Sequence, residues 1–134
     1  MSKSVPGQSA ELPALNEWLH AEWAGAGLPP EACFPFELAL EELFINVAMH
    51  GASPGVVPQV EVDFTCDGGH VALTVRDDGP AFDPLAAPPP DTDAALEDRP
   101  VGGLGIHLVR EMMDEVTYQR TATQNCLRMV KLVE

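Results

Sequence analysis

Glu42 and Asn46 lie four residues apart in an apolar-rich stretch that reads as a helix. On a wheel of about 100° per residue, with Glu42 at zero, Asn46 falls near 40° and His50 near 80°. Phe36, Leu40, Leu43, Phe44 and Val47 gather on the far side, while Leu38, Ile45 and Met49 flank the polar stripe. A carboxylate and an amide therefore project together from a helix that is apolar around most of its circumference. Burial penalises the charged form of an acid, so Glu42 is paired, used, or left at the helix's one exposed edge. A second group, Val75-Arg76-Asp77-Asp78-Gly79-Pro80-Ala81-Phe82, ends a strand and enters a turn. A carboxylate there can accept a hydrogen bond from an exocyclic amine, with a flat base lying against the bare backbone of a glycine two residues on. The same D-x-G is also ordinary turn chemistry.

A third group, Gly102-Gly103-Leu104-Gly105-Ile106, opens a helix. Glycines in that place let backbone N–H groups approach a phosphate, and the helix dipole favours the negative charge. No G-K-[ST] follows, which excludes a Walker motif, and a loop rather than a strand precedes it, which excludes a dinucleotide fingerprint. Taken singly, each group is weak.

The elements that must position these residues follow from periodicity. Leu12, Leu15, Trp18, Leu19 and Trp23 predict a first helix from Glu11 to about Ala26, stopped by Gly25 and Gly27. After Pro29-Pro30, a second helix is expected from about Glu31 to His50, closed by Gly51, with a turn at Ala52-Ser53-Pro54-Gly55. Alternation marks strands over Val57–Cys66 and His70–Asp77, joined by hairpin chemistry at Asp67-Gly68-Gly69. Residues 83–101, with Pro84, Pro88, Pro89, Pro90 and Pro100, read as a loop that its own contacts would not order. A third helix to about Met113 and strands Glu115–Arg120 and Cys126–Val133 complete the domain, residues 11–134. Residues 1–10 are polar, carry Pro6 and Gly7, and are expected to be flexible. This order implies an α+β fold, a two-layer sandwich with helices on one face of a mixed, largely antiparallel sheet.

The whole chain, 134 residues with 46% apolar and 21% charged, has the size and balance of one globular domain. Its net charge of −14 disfavours nucleic acid and anionic membrane surfaces as partners. One bound nucleotide is still compatible, since a few N–H groups and a metal ion can hold its phosphates. No apolar run is long enough to span a bilayer, and the first residues lack the apolar core of a signal peptide. Cys33, Cys66 and Cys126, an odd and scattered set, read as reduced thiols in a cytoplasmic protein.

In this order and spacing the motifs resemble the histidine-kinase-like (GHKL, Bergerat-fold) ATPase superfamily, and within it the stand-alone anti-sigma-factor serine/threonine-protein kinases of bacteria. Glu42-Leu43-Phe44-Ile45-Asn46-Val47-Ala48-Met49-His50-Gly51 is similar to the family's N-box and Asp77-Asp78-Gly79-Pro80-Ala81-Phe82-Asp83-Pro84 to its G1 box. Gly102 to Val109, with Met113-Asp114-Glu115-Val116, resembles the G2 box, and Asn125-Cys126-Leu127-Arg128-Met129-Val130-Lys131 the family's closing strand. The likeness spans roughly residues 34–134 and implies the Bergerat ATP-binding fold with ATP and Mg2+ as cofactors.

By that resemblance Asn46 would ligate Mg2+, and Glu42 would be the general base acting on a hydroxyl. Asp77 would accept from the adenine amine while Gly79 leaves room for the ring. Gly103 and Gly105 would donate backbone N–H groups to phosphate, and residues 83–101 would form the ATP lid. His50 and Arg99 are further candidate contacts, set against simpler roles as a helix-end packing residue and a solvated loop cation. The implied partners are a sigma factor or related regulator, held by the domain, and a small antagonist protein, its phosphorylation substrate. The family usually opens with a strand on which a homodimer can be built, and residues 1–10 look poorly suited to one. The lid is nearly devoid of lysine, so phosphate neutralisation would fall on Mg2+. The alternative from another class is a nucleotide-sensing interaction module with little or no phosphotransfer. An interaction domain without nucleotide would require all the motifs to be accidental.

Overall fold

A computed structural model describes residues 1–50, 56–86 and 103–133. Five strands form one sheet in the order β1-β2-β3-β5-β4. They are β1 (Ser2–Pro6), β2 (Gln59–Asp67), β3 (His70–Asp77), β4 (Glu115–Arg120) and β5 (Asn125–Leu132). All four pairings are antiparallel, so the sheet is not mixed. Three α-helices among the described residues, α1 (Leu12–Gly25), α2 (Phe34–His50) and α3 (Gly103–Met112), complete the α+β architecture.

Period-two alternation creates the inner face of the sheet. Val60, Val62 and Phe64 of β2, Val71, Leu73 and Val75 of β3, and Leu127 and Met129 of β5 are all buried. Against them lie Leu15, Leu19 and Trp23 of α1, Phe36, Leu40 and Phe44 of α2, and Ile106 and Val109 of α3. The β2–β3 hairpin turns through Gly68 and Gly69, whose φ values of +57° and +82° are those of a two-residue primed turn. A side chain at Gly69 would also come within 2.8 Å of the Val133 carbonyl.

Besides shifts of one or two residues at the ends of β2, β5 and α1, two segments differ from the sequence reading. Residues 1–10 are not loose throughout, because Ser2–Pro6 pairs along β2 from Ser2–Asp63 to Pro6–Gln59. Strand pairing is carried by backbone groups, and a polar edge strand needs only one inward apolar anchor, here the buried Val5. Beyond it, Gly7 N–H donates to Pro58 O at 2.7 Å. The second helix also starts later than Glu31, since Pro30–Cys33 forms a 3-10 turn and α-helix begins at Phe34. Pro35 has no N–H with which to close an α-helical bond back to Glu31.

The end of α1 is set by Gly27 at φ +73°, with Gly27 N–H on Ala24 O and Leu28 N–H on Trp23 O. These two bonds cap the last turn as in a Schellman motif. Trp23 then ties helix to sheet: its ring packs against Phe36 and Phe64, and its Nε1–H donates to Pro29 O at 2.8 Å. No helix among the described residues is long and apolar enough to cross a membrane.

If Val5 anchors β1, Val5→Ala removes two buried carbons and should cost about 1.5–2 kcal/mol. Ser4→Ala, at an exposed position of the same strand, should stay within about 0.5 kcal/mol. Urea denaturation of the two variants checks this, and equal effects would contradict a packed first strand.

Candidate functional site

The inward-facing rows of the sheet change character at one end. Along β3 the buried series Val71, Leu73, Val75 continues to Asp77, and along β5 Met129 and Leu127 lead back to Asn125. Asp77 and Asn125 are register partners, so a carboxylate and an amide stand side by side where hydrocarbon would otherwise continue. Both are more than nine-tenths buried. A buried amide must satisfy two donors and an acceptor, and Asn125 does so within this site. Its Nδ2 donates to Asp77 Oδ1 at 3.0 Å and to Pro80 O at 2.8 Å. Its Oδ1 accepts from Phe82 N–H at 3.1 Å and from Tyr118 O–H at 2.5 Å.

The turn after β3 is fixed by the same groups. Gly79 N–H donates to Asp77 Oδ1 at 3.0 Å, and Gly79 O accepts from Arg120 Nη1 at 2.8 Å. Asp78 Oδ1 accepts from Gln59 N–H at 2.7 Å, which ties the turn to the start of β2. Asp77 thus spends Oδ1 on its own scaffold. Its Oδ2 accepts no hydrogen bond among the described residues and is available to a donor from outside the chain.

A cleft of about 450 Å³, open to solvent, lies over this carboxylate. Asn46, Leu43 and Val47 of α2 form one wall, and Val75, Asp77 and Leu127 form the sheet side. Pro80, Phe82 and Pro84 close another edge, with Tyr118 and Asn125 beside them. The lining joins aliphatic walls to a few convergent polar groups, the composition of small-molecule sites. Such a chamber suits a flat heterocycle with an exocyclic amine aimed at Asp77 Oδ2. Asn46 of α2 also lines the cleft, and its amide oxygen is of the kind that could hold a hard cation.

Of the residues singled out from sequence, Asn46 and Asp77 line this one cleft, and Gly79 is buried in the turn beside it. Glu42, one turn before Asn46 on α2, is half-buried and is not among the lining residues. Burial, aided by the neighbouring negative charge of Glu41, pushes its carboxyl above the usual range. Gly103 and Gly105 fall in the first turn of α3, where N–H groups have no partner within the helix. His50 ends α2, while Arg99 and lid residues 87–101 lie outside the described residues. The first lid residues are described: Asp83 Oδ1 accepts from Leu85 N–H at 2.8 Å, opening a 3-10 turn at Pro84–Ala86.

Sequence reasoning assigned no role to Asn125, Tyr118 or Arg120. The signal for Asn125 was present, a polar residue in phase with Leu127 and Met129 on the inward face of its strand. Arg120 gave none, since its bond to Gly79 O joins residues 41 positions apart.

The chain belongs to the histidine kinase-like ATPase domain family, whose sequence profile matches residues 5–131. It is also similar to the serine/threonine-protein kinase BtrW of Bordetella bronchiseptica, with 30% identity over 96 residues, 72% of this chain and 68% of that protein. The α+β fold, with its helices packed against an antiparallel sheet, agrees with that family. Membership of that family implies that the chain binds ATP.

Two predictions follow from this geometry. Asn125→Ala removes the amide's bonds to Asp77, Tyr118, Pro80 O and Phe82 N–H, so it should cost about 2–4 kcal/mol in urea denaturation and weaken nucleotide binding as well. A stable Asn125→Ala variant with unaltered ATP affinity would contradict the scaffold. For Glu42 the sign follows from its raised pKa: ionising it costs folding free energy at neutral pH, and the cost vanishes once the carboxyl is protonated in both states. Glu42→Gln should therefore melt no lower than the parent at pH 7, and any advantage should shrink as pH falls through the carboxylate range. A variant destabilised at pH 7 would show instead that ionised Glu42 is held by a favourable partner.

Proposed function

We propose that this domain is an ATP-dependent protein serine/threonine kinase that acts as a regulatory switch, binding a sigma factor or related regulator and phosphorylating a small antagonist protein. The observation that carries the nucleotide half is the unengaged Oδ2 of Asp77 in a cleft shared with Asn46. The protein-kinase half is supported by Glu42 one turn from Asn46 and by the similarity to a serine/threonine-protein kinase. An acidic chain, net charge −14, suits a partner with a basic segment.

In this reading Asp77 Oδ2 accepts from the adenine amine, and the backbone at Gly79 lets the ring lie close. Asn46 Oδ1 would hold Mg2+, and the first-turn N–H groups of α3 at Gly103 and Gly105 would meet phosphate oxygens. Mg2+, when bound there, would supply positive charge to offset the negative charge of the phosphates. Glu42 takes the proton of a serine or threonine hydroxyl as that oxygen bonds to the γ-phosphorus. The γ-phosphorus–oxygen bond to ADP breaks at the same time. An elevated pKa makes Glu42 a stronger base than an ordinary surface carboxylate.

Mg-ATP should raise the melting temperature, and Asn46→Ala should abolish the rise. No shift of the parent protein at millimolar Mg-ATP would discard the nucleotide reading. Glu42→Ala should keep ATP binding and lose transfer of labelled γ-phosphate to the antagonist by about a hundredfold or more. A parent protein that binds ATP yet labels no candidate partner would instead be a nucleotide-sensing interaction module.

A further inference from the structure

Away from the cleft, the junction of α1 and α2 collects a second set of reactive side chains. His20 lies on α1, Cys33 ends the 3-10 turn before α2, and Glu37 sits in the first turn of α2. One ligand atom from each, an imidazole nitrogen, a thiol sulfur and a carboxylate oxygen, lies within 4.8 Å of the other two. His20 Nε2 and Glu37 Oε1 are 2.6 Å apart, and the Cys33 sulfur lies within 4.8 Å of both. Cys33 is 2% exposed, Glu37 is partly buried and His20 is exposed, so the set forms a shallow well whose open side faces solvent.

We propose that His20, Cys33 and Glu37 bind a divalent cation of the zinc class, with water completing a tetrahedron on the solvent side. Nitrogen, sulfur and oxygen donors together match the ligand preference of Zn2+, whereas Mg2+ prefers all-oxygen sites. Zinc bonds of about 2.0–2.3 Å place ligand atoms roughly 3.3–3.8 Å apart, so the observed set needs only small side-chain movements. The exposed His20 ring can swing away from Glu37 to admit the ion. Without a cation, burial and the carboxylate of Glu37 push the Cys33 thiol up to about 12, which keeps it protonated and unreactive. Binding would replace that proton, released to solvent, with a sulfur–metal bond. The ion would join α1 to the start of the helix that carries Glu42 and Asn46.

The test uses the full chain, reduced and stripped of metal, titrated with Co2+ and Zn2+. Co2+ at one equivalent should give a near-ultraviolet thiolate-to-cobalt band and strong visible bands of tetrahedral coordination, both displaced by Zn2+. Zn2+ at a hundred times its dissociation constant should raise the melting temperature by roughly 5–10 °C. Cys33→Ser should remove the thiolate band. His20→Ala, at an exposed position that folding does not need, should weaken Zn2+ by more than about tenfold. Asn46→Ala should leave the cobalt spectrum unchanged, which separates this site from the nucleotide cleft. The proposal is overturned if no thiolate band appears, or if His20→Ala and Glu37→Gln bind Zn2+ as tightly as the parent. His20, Cys33 and Glu37 would then be no more than a helix-pairing contact.

Discussion

The hydrogen-bonded pair of Asp77 and Asn125 is the constraint around which the functional end of this molecule is arranged. Strand alternation forces both side chains inward, where an unpaired carboxylate or amide would cost several kcal/mol. Their mutual bond relieves part of that cost and consumes only one oxygen of Asp77. The amide's remaining valences then reach Pro80 O, Phe82 N–H and Tyr118 O–H, so one residue fixes the turn, the cleft edge and the neighbouring strand. The second oxygen of Asp77 is held in a defined place by groups that ask nothing more of it. Such preorganisation distinguishes a recognition site from a merely polar strand end.

Helix α2 answers a different demand. Phe36, Leu40 and Phe44 are fully buried, which fixes the helix's rotation against the sheet. Asn46, at the rim of that buried arc, lines the cleft and has no side-chain hydrogen bond among the described residues. Glu42, a turn earlier, sits at the same rim in a place where solvent is partly removed. Packing thus sets both the direction of the amide and the elevated basicity of the acid, and neither could be tuned by local sequence alone.

Much of this was legible because it rests on short-range patterns. His70–Asp77 and Glu115–Arg120 have the strand limits read from alternation, and the glycine pair at 68–69 marks the hairpin. Asn46 stood out as a polar residue on a largely apolar helix, and Asp77 as a strand-end carboxylate two residues before a glycine. What could not be read depends on distant partners. β1 exists because an open edge of β2 offers it backbone bonds, a fact absent from the composition of residues 1–10. The same holds for Arg120 on Gly79 and for the junction of His20, Cys33 and Glu37, whose members come from three elements. The late start of α2 was readable in principle, since Pro35 announces it; apolar periodicity through the 3-10 turn masks the signal.

Charge decides how such a cleft can hold a polyphosphate. Several cationic side chains among the described residues are already committed to the scaffold. Arg76 is paired with Asp63 and Glu61, Arg120 with Gly79 O, Arg110 with Leu85 O and Lys131 with Met112 O. None of the cleft-lining residues is cationic, and the chain as a whole carries −14. A nucleotide triphosphate entering this field is repelled unless its own charge is reduced first, and screening by salt acts only beyond about 8–10 Å. A divalent ion bound with the nucleotide, and fixed dipoles at a helix start, are two sources of compensation. On the proposed reading, occupancy of the cleft would rise with the metal-complexed fraction of the nucleotide, because a divalent ion lowers the ligand's charge before it meets so acidic a chain.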